Sequence, residues 1–197
     1  HPSQLTTIGD RAFQSTTLKT LTLPGSVVTI GYNAFAGMSR LTSIRLGANV
    51  GADQLVAAFV GTSALTSIEV DAANTNYASV DGVLYSKDHS HLIAYPQAKN
   101  RGGAYAVVGG VTQIDDYAFA GATIATVTLP SSLRTIGEYA FESSRLTSVT
   151  LPDSFETIGS WAFSYAPNLA RVDLGGTTTV SDNAFLNDLA LTEVNLR

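Results

Sequence analysis

The chain repeats itself, and that constrains its fold more than any other feature. The dipeptide Ala-Phe ends at Phe13, Phe35, Phe59, Phe119, Phe141, Phe163 and Phe185, in steps of 22, 24, 60, 22, 22 and 22 residues. The surrounding sequence repeats too. Ile-Gly-x-x-Ala-Phe spans Ile8 to Phe13, Ile30 to Phe35, Ile136 to Phe141 and Ile158 to Phe163, with variants at Ile114-Asp115 and Val180-Ser181. A unit of about 22 residues is too short to bury its own apolar face, so stacked units must share a continuous core. The expected object is a single solenoid over residues 1–197, of about eight coils.

A second marker alternates with the first. It is Leu-x-x-(Ile/Val/Leu)-x-(Leu/Val), as in Leu18-Leu21-Leu23, Leu146-Val149-Leu151 and Leu191-Val194-Leu196. Its last two apolar positions are two apart, which is strand periodicity, and the residue between them faces away from the core. Pro24, Pro130 and Pro152 follow such strands directly and end them, because proline donates no ladder hydrogen bond. The apolar residues of Ile-Gly-x-x-Ala-Phe are four and five apart, which predicts a helical turn, with the glycine permitting a sharp bend. The expected class is therefore an α/β repeat: parallel strands on one face and short helical turns elsewhere.

The unit from Leu146 to Phe163 resembles the BspA-type leucine-rich repeat in period, strand motif, proline, Ile-Gly and Ala-Phe. The stretch from Asn74 to Pro96 resembles a variant coil of that family carrying an inserted β-hairpin. The resemblance implies a leucine-rich-repeat solenoid of the kind found in bacterial and protist surface proteins, some of them adhesive. It brings no catalytic residues and no cofactor. Many repeats of the family place cysteine shortly after Ala-Phe. Here those sites hold residues such as Ser15, Ser143 and Ser164, and the chain has no cysteine at all.

Residues 71–110 break the period. Two β-prone runs, from Ser79 to Tyr85 and from His91 to Pro96, flank Ser86-Lys87-Asp88-His89-Ser90. This predicts a hairpin with a five-residue connection, projecting from an irregular coil. It is either a binding feature or a plain structural decoration.

Composition removes several functions. The net charge is −5, with 11 Lys and Arg against 16 Asp and Glu. A nucleic-acid surface needs a basic stripe and is not expected. No apolar run approaches the roughly 20 residues of a membrane span. With three histidines, no Gly-x-Ser-x-Gly elbow and no phosphate-binding glycine loop, a non-enzymatic protein is expected. Asp115-Asp116 is a carboxylate pair, but adjacent residues of a coil point different ways. His89 and His91, with Asp88 and Asp81, are a metal candidate only if a third ligand converges on them. The other reading is an exposed polar hairpin tip, and no metal is expected.

Two surfaces remain. The outward residues of the strands form ladders Thr20/Thr22, Ser43/Arg45, Ser67/Glu69, Thr126/Thr128, Ser148/Thr150, Arg171/Asp173 and Glu193/Asn195. Solenoids bind proteins through such faces, and Arg45, Glu69, Arg171, Asp173 and Glu193 are the candidate contacts. A flat threonine grid for ice is spoiled by these same charges. Tyr117, Tyr139 and Trp161 each lie two residues before a repeat phenylalanine. Stacked in successive coils, they would form an aromatic column able to hold sugar rings or an apolar patch. Neither terminus shows a polar capping coil, which points to a segment of a longer surface protein. The expected function is an extracellular, surface or secreted interaction module whose partner is a protein of the extracellular-matrix type or a glycan. The alternatives are a spacer without a ligand, or carbohydrate binding through the aromatic column.

Overall fold

The structure is a computed structural model that describes residues 4–52 and 55–196. Strands of the second marker pair in parallel across coils. Thr20–Thr22, Ser43–Leu46 and Ser67–Val70 form one sheet, Ala104–Ala106 and Thr126–Thr128 a second, and Ser148–Thr150, Arg171–Asp173 and Glu193–Asn195 a third. The registers put Leu21 beside Ile44 and Ile44 beside Ile68, and Val149 beside Val172 and Val172 beside Val194. The apolar middle residue of each strand thus lies over its neighbours, as the period of two requires.

The other half of each coil differs from expectation, because none of the described residues is helical. The solenoid is built on β-strands and turns, not on an α/β repeat. The isoleucine of Ile-Gly belongs to a two-residue strand. Thr7–Ile8 pairs with Thr29–Ile30, and Gln113–Ile114, Thr135–Ile136, Thr157–Ile158 and Thr179–Val180 follow one another in a seven-stranded sheet. After it the backbone turns left-handed at two positions per coil, four residues apart. In three successive coils these are Tyr117 and Gly121, Tyr139 and Ser143, and Trp161 and Tyr165, with φ between 55° and 68°. Such angles break a right-handed helical turn. They aim alternate amides along the solenoid axis instead. Tyr139 N donates to Ser160 O at 3.1 Å, Phe141 N to Ala162 O at 2.6 Å and Ser143 N to Ser164 O at 2.9 Å. The intervening amides close short turns, Glu142 N to Tyr139 O and Ser144 N to Phe141 O. A helical turn would keep these bonds local and leave coil-to-coil contact to side chains alone.

The expected hairpin is present, with Val83–Ser86 pairing antiparallel to His91–Ala94, but it does not project from the solenoid. Tyr77–Val80, Val83–Ser86 and His91–Ala94 form an antiparallel meander that continues the seven-stranded sheet. Its first turn is Asp81-Gly82, both left-handed, a two-residue hairpin turn. Val83, Leu84 and Tyr85 are all fully buried. Leu84 enters the N-terminal core, whereas Val83 and Tyr85 enter the C-terminal one. The meander is therefore a partition between two cores. Tyr95 then takes the slot of the repeat phenylalanine. Its amide donates to Ala118 O, and its ring stacks on Phe119 at 4.8 Å.

Phenylalanine stacks run through both cores. Phe13, Phe35 and Phe59 stand 6.1 and 5.8 Å apart, and Phe119, Phe141, Phe163 and Phe185 stand 4.7, 5.0 and 5.3 Å apart. The repeat glycines have a different role from the expected bend. A Cβ on Gly159 would lie 2.6 Å from Gly137 C and 2.8 Å from Glu138 N, and one on Gly31 2.3 Å from Asp10 N. Glycine is required there because the previous coil lies against it. Gly9, in the first coil, would meet nothing within 4 Å.

Two stability predictions follow from these contacts. Phe141→Ala, which empties a fully buried slot between two rings, should cost about 3–5 kcal/mol, and Phe13→Ala, at the end of its stack, should cost less. Chemical denaturation of both variants would order them. Gly159→Ala should cost about 1–3 kcal/mol by overpacking, while Gly9→Ala should leave the melting temperature unchanged.

Candidate functional site

The strand face is exposed but divided. Arg45 and Glu69 belong to the N-terminal sheet, Arg171 and Glu193 to the C-terminal one. All four are exposed. Arg45 Nη2 lies 3.4 Å from Asp71 Oδ2, and Arg171 Nη1 lies 3.0 Å from Glu193 Oε1. Glu69 accepts the Ser67 hydroxyl proton. Exposed pairs of this kind contribute about 0–1 kcal/mol, so their charges can be handed to a partner at little cost. Asp173 is different. It is buried, and its Oδ1 accepts from Gly175 N at 3.1 Å. It closes the loop after its own strand and presents no contact surface, contrary to its outward position in the alternation.

Tyr117, Tyr139 and Trp161 do form a column. Tyr117 and Tyr139 stack at 4.9 Å and 7°, Tyr139 and Trp161 at 6.0 Å and 12°. Burial pushes the Tyr117 hydroxyl up to about 12, helped by Tyr32 and Tyr139. Near-parallel stacking turns the ring faces toward one another, so the column offers solvent its edges. A sugar ring stacks on a face, and Tyr139, with a ring on either side, has none to spare.

The hairpin residues scatter. His89 is left-handed and packs near the Tyr85 ring at 5.9 Å. His91 Nδ1 lies 2.9 Å from Asp115 Oδ1. Asp88 accepts the Ser86 hydroxyl and both the amide and the hydroxyl of Ser90, which hold its carboxyl well below the usual range. Asp81 pairs with Lys99 at 3.1 Å. Among the described residues no three His, Asp or Glu side chains converge on a common point.

His91 and Asp115 have the geometry of a base and its orienter, and burial raises the Asp115 carboxyl against the pull of His91. A hydrolytic reading needs a nucleophile in reach, and the nearby Ser86 and Ser90 hydroxyls both donate to Asp88. The pair instead ties the meander to the next coil. Sequence spacing hides it, because its members are 24 residues apart. Also hidden is a buried tyrosine cluster, in which the Tyr85 and Tyr105 hydroxyls meet at 2.5 Å and the Tyr95 ring lies 4.7 Å from the Tyr105 ring.

A family model described as "BspA type Leucine rich repeat region" matches in six copies over residues 1–81 and 106–197. The chain belongs to this family, a non-enzymatic fold class. The unmatched stretch begins inside the meander. No curated protein matches. Among solved structures, a leucine-rich repeat protein from Eubacterium ventriosum superimposes with a TM-score of 0.79 at 24% identity, over 95% of this chain and 57% of that one. The pneumococcal vaccine antigen PcpA gives 0.61 at 25% identity, over 98% and 60%. A leucine rich cell surface protein from Faecalibacterium prausnitzii gives 0.59 at 22%, over 99% and 70%. The chain thus spans 57% and 60% of the length of the first two.

One titrating group outside these surfaces gives a pH prediction. The Asp188 side chain is buried in the last full turn. Its Oδ1 accepts from Ala166 N at 2.8 Å, and its Oδ2 has no partner. Burial pushes its carboxyl up to about 6 from 3.8. The folded state therefore binds this proton more tightly than the unfolded one, and stability falls as pH rises from about 4 to about 6. Asp188→Asn keeps the acceptor and removes the charge. It should gain about 1 kcal/mol at pH 7.5, after discount for partial solvation, and nothing at pH 4. Thermal melts at the two pH values measure this difference.

Proposed function

We propose that this chain is an interaction or adhesion module of a cell-surface or secreted protein, binding through its solenoid surface to a protein of the extracellular-matrix type. The observation that carries the reading is the exposed strand face, where Arg45 and Asp71, and Arg171 and Glu193, form weak, replaceable ion pairs and Glu69 accepts from the Ser67 hydroxyl. Membership of a leucine-rich repeat family supports a surface that works by many contacts, since coils add contact area in proportion to their number. A surface location is supported by the likeness to a solved cell surface protein of the same fold. A spacer with no ligand of its own is the second reading, and the self-stacked aromatic column favours it over carbohydrate binding by ring faces.

The test is binding of the purified chain to a panel of matrix proteins and neutral glycans. It includes a variant with Arg45, Glu69, Arg171 and Glu193 all changed to alanine, and a second with Tyr117, Tyr139 and Trp161 changed to alanine. We expect saturable binding to a matrix protein, weakened at least tenfold in the charge variant and unaffected in the aromatic one. Silence across the panel from a folded chain would leave the spacer reading.

A further inference from the structure

Away from the strand face, a groove of about 450 Å³ opens beside the residues that lead into the strands. That volume lies within the range of small-ligand sites. Thr123, Arg145 and Asn168 occupy the same slot in successive coils, each one residue before the leading apolar residue of its strand marker. Arg101 and Gly102 lie alongside, with Gly102 N donating to Thr123 O at 2.7 Å, and Thr147 completes the polar wall.

The charges in this groove are unusual for a chain of net charge −5. Two guanidinium groups line it and no acidic side chain does. Among the described residues the ion pairs take up Arg45, Arg134, Arg171, Lys99 and His91, and none takes Arg101 or Arg145. Arg101 is steered but not neutralised. Its Nη2 donates to Ser63 O at 3.1 Å, across the partition between the two cores, which leaves most of its five N–H donors free. The threonines supply the complementary chemistry. Thr123 Oγ1 gives its proton to Gln97 O at 2.7 Å, and Thr147 Oγ1 gives its proton to Ala125 O at 3.1 Å. Each hydroxyl oxygen is left as an acceptor. Paired guanidinium donors suit an oxyanion, and hydroxyl acceptors beside them suit the alcohol groups of the molecule that carries it.

We propose that the groove lined by Arg101, Thr123, Arg145, Thr147 and Asn168 binds an acidic saccharide. The sugar's carboxylate or sulfate would sit between the two arginines, and its hydroxyls would donate to the threonine oxygens. The proposal rests on the reading of the chain as an interaction module and names a ligand class for it. It needs no free aromatic face, and it uses neither the strand face nor the aromatic column.

Calorimetric titration of the 197-residue chain tests it with three probes: a hyaluronan tetrasaccharide, which is carboxylated, a sulfated galactan tetrasaccharide, and neutral maltotetraose. At least one acidic probe should bind, and at least tenfold more tightly than maltotetraose. Whichever acid binds better identifies the oxyanion. Arg101→Ala and Arg145→Ala should each weaken binding about ten- to a hundredfold. Arg40→Ala, one coil slot in the N-terminal stack, should leave binding unchanged. Thr147→Val should weaken the saccharide but not free inorganic sulfate. All four substituted positions are exposed, and a thermal melt of each variant confirms its fold. The proposal is overturned if neither acidic probe binds, if Arg145→Ala binds as well as the parent, or if Arg40→Ala loses as much. Binding to a matrix protein with no response to either acidic probe would leave the module reading standing and remove the groove.

Discussion

Everything in this molecule is spaced by the hydrogen bonds between successive coils. Parallel strands lie about 4.8 Å apart, and here three tracks of backbone obey that spacing together: the marker strands, the two-residue strands at Thr-Ile, and the left-handed turn segment. Side chains have no separate choice of distance. The phenylalanines of the C-terminal stack stand 4.7 to 5.3 Å apart because their backbones do, and that is also a good distance for offset aromatic stacking. At Gly31, Gly137 and Gly159 the neighbouring coil occupies the space a Cβ would need. One repeated bonding pattern therefore sets the core, the glycines and the outer columns alike.

The meander is where that pattern changes. Antiparallel strands replace the turn-rich part of a coil, and Val83, Leu84 and Tyr85 are buried on both sides. The two cores touch a common wall but do not merge. The second core resumes when Ala94-Tyr95 stands in for Ala-Phe, with the amide and ring of Tyr95 where a phenylalanine would be. This has a functional consequence. The outer strand face is split into separate sheets, so a flat partner meets two charged patches, one holding Arg45 and Glu69 and one holding Arg171 and Glu193. The division also creates the setting in which Arg101 reaches back to Ser63.

Much of this was legible in the sequence, and the legible parts share a cause. The period, the marker strands and the stacked phenylalanines are read from burial, which repeats at fixed spacing. The aromatic column is legible for the same reason, since Tyr117, Tyr139 and Trp161 are each 22 residues apart. The second set of strands is not, because two residues are too few to show alternation. The turn segment misleads, because Tyr139, Ser143 and Trp161 adopt φ of 55–60° against the preference of residues with a Cβ. Only the bonds to the next coil explain that choice. The polar run after Tyr85 marks a real turn, between Val83–Ser86 and His91–Ala94, but Asp81-Gly82, itself a strong hairpin signal, adds a second turn and a third strand inside what reads as one β-prone run. Asp173 and the pairing of His91 with Asp115 depend on where a side chain folds back or reaches across, which alternation alone does not specify.

The left-handed turns also decide how the aromatic column should be weighed. Holding a tyrosine or tryptophan in that conformation costs roughly 1–2 kcal/mol, and a stacked aromatic pair contributes about 0.5–1.5 kcal/mol beyond its area. Tyr139, with a ring on either side, recovers its cost from the stack. A ligand that inserted between those rings would forfeit what keeps them in place, whereas an oxyanion between Arg101 and Arg145 would take groups that no internal contact neutralises. The same reasoning applies along any coil array of this kind. Columns that stack on themselves serve the fold, and the groups left over at breaks in the register are the ones available to a ligand.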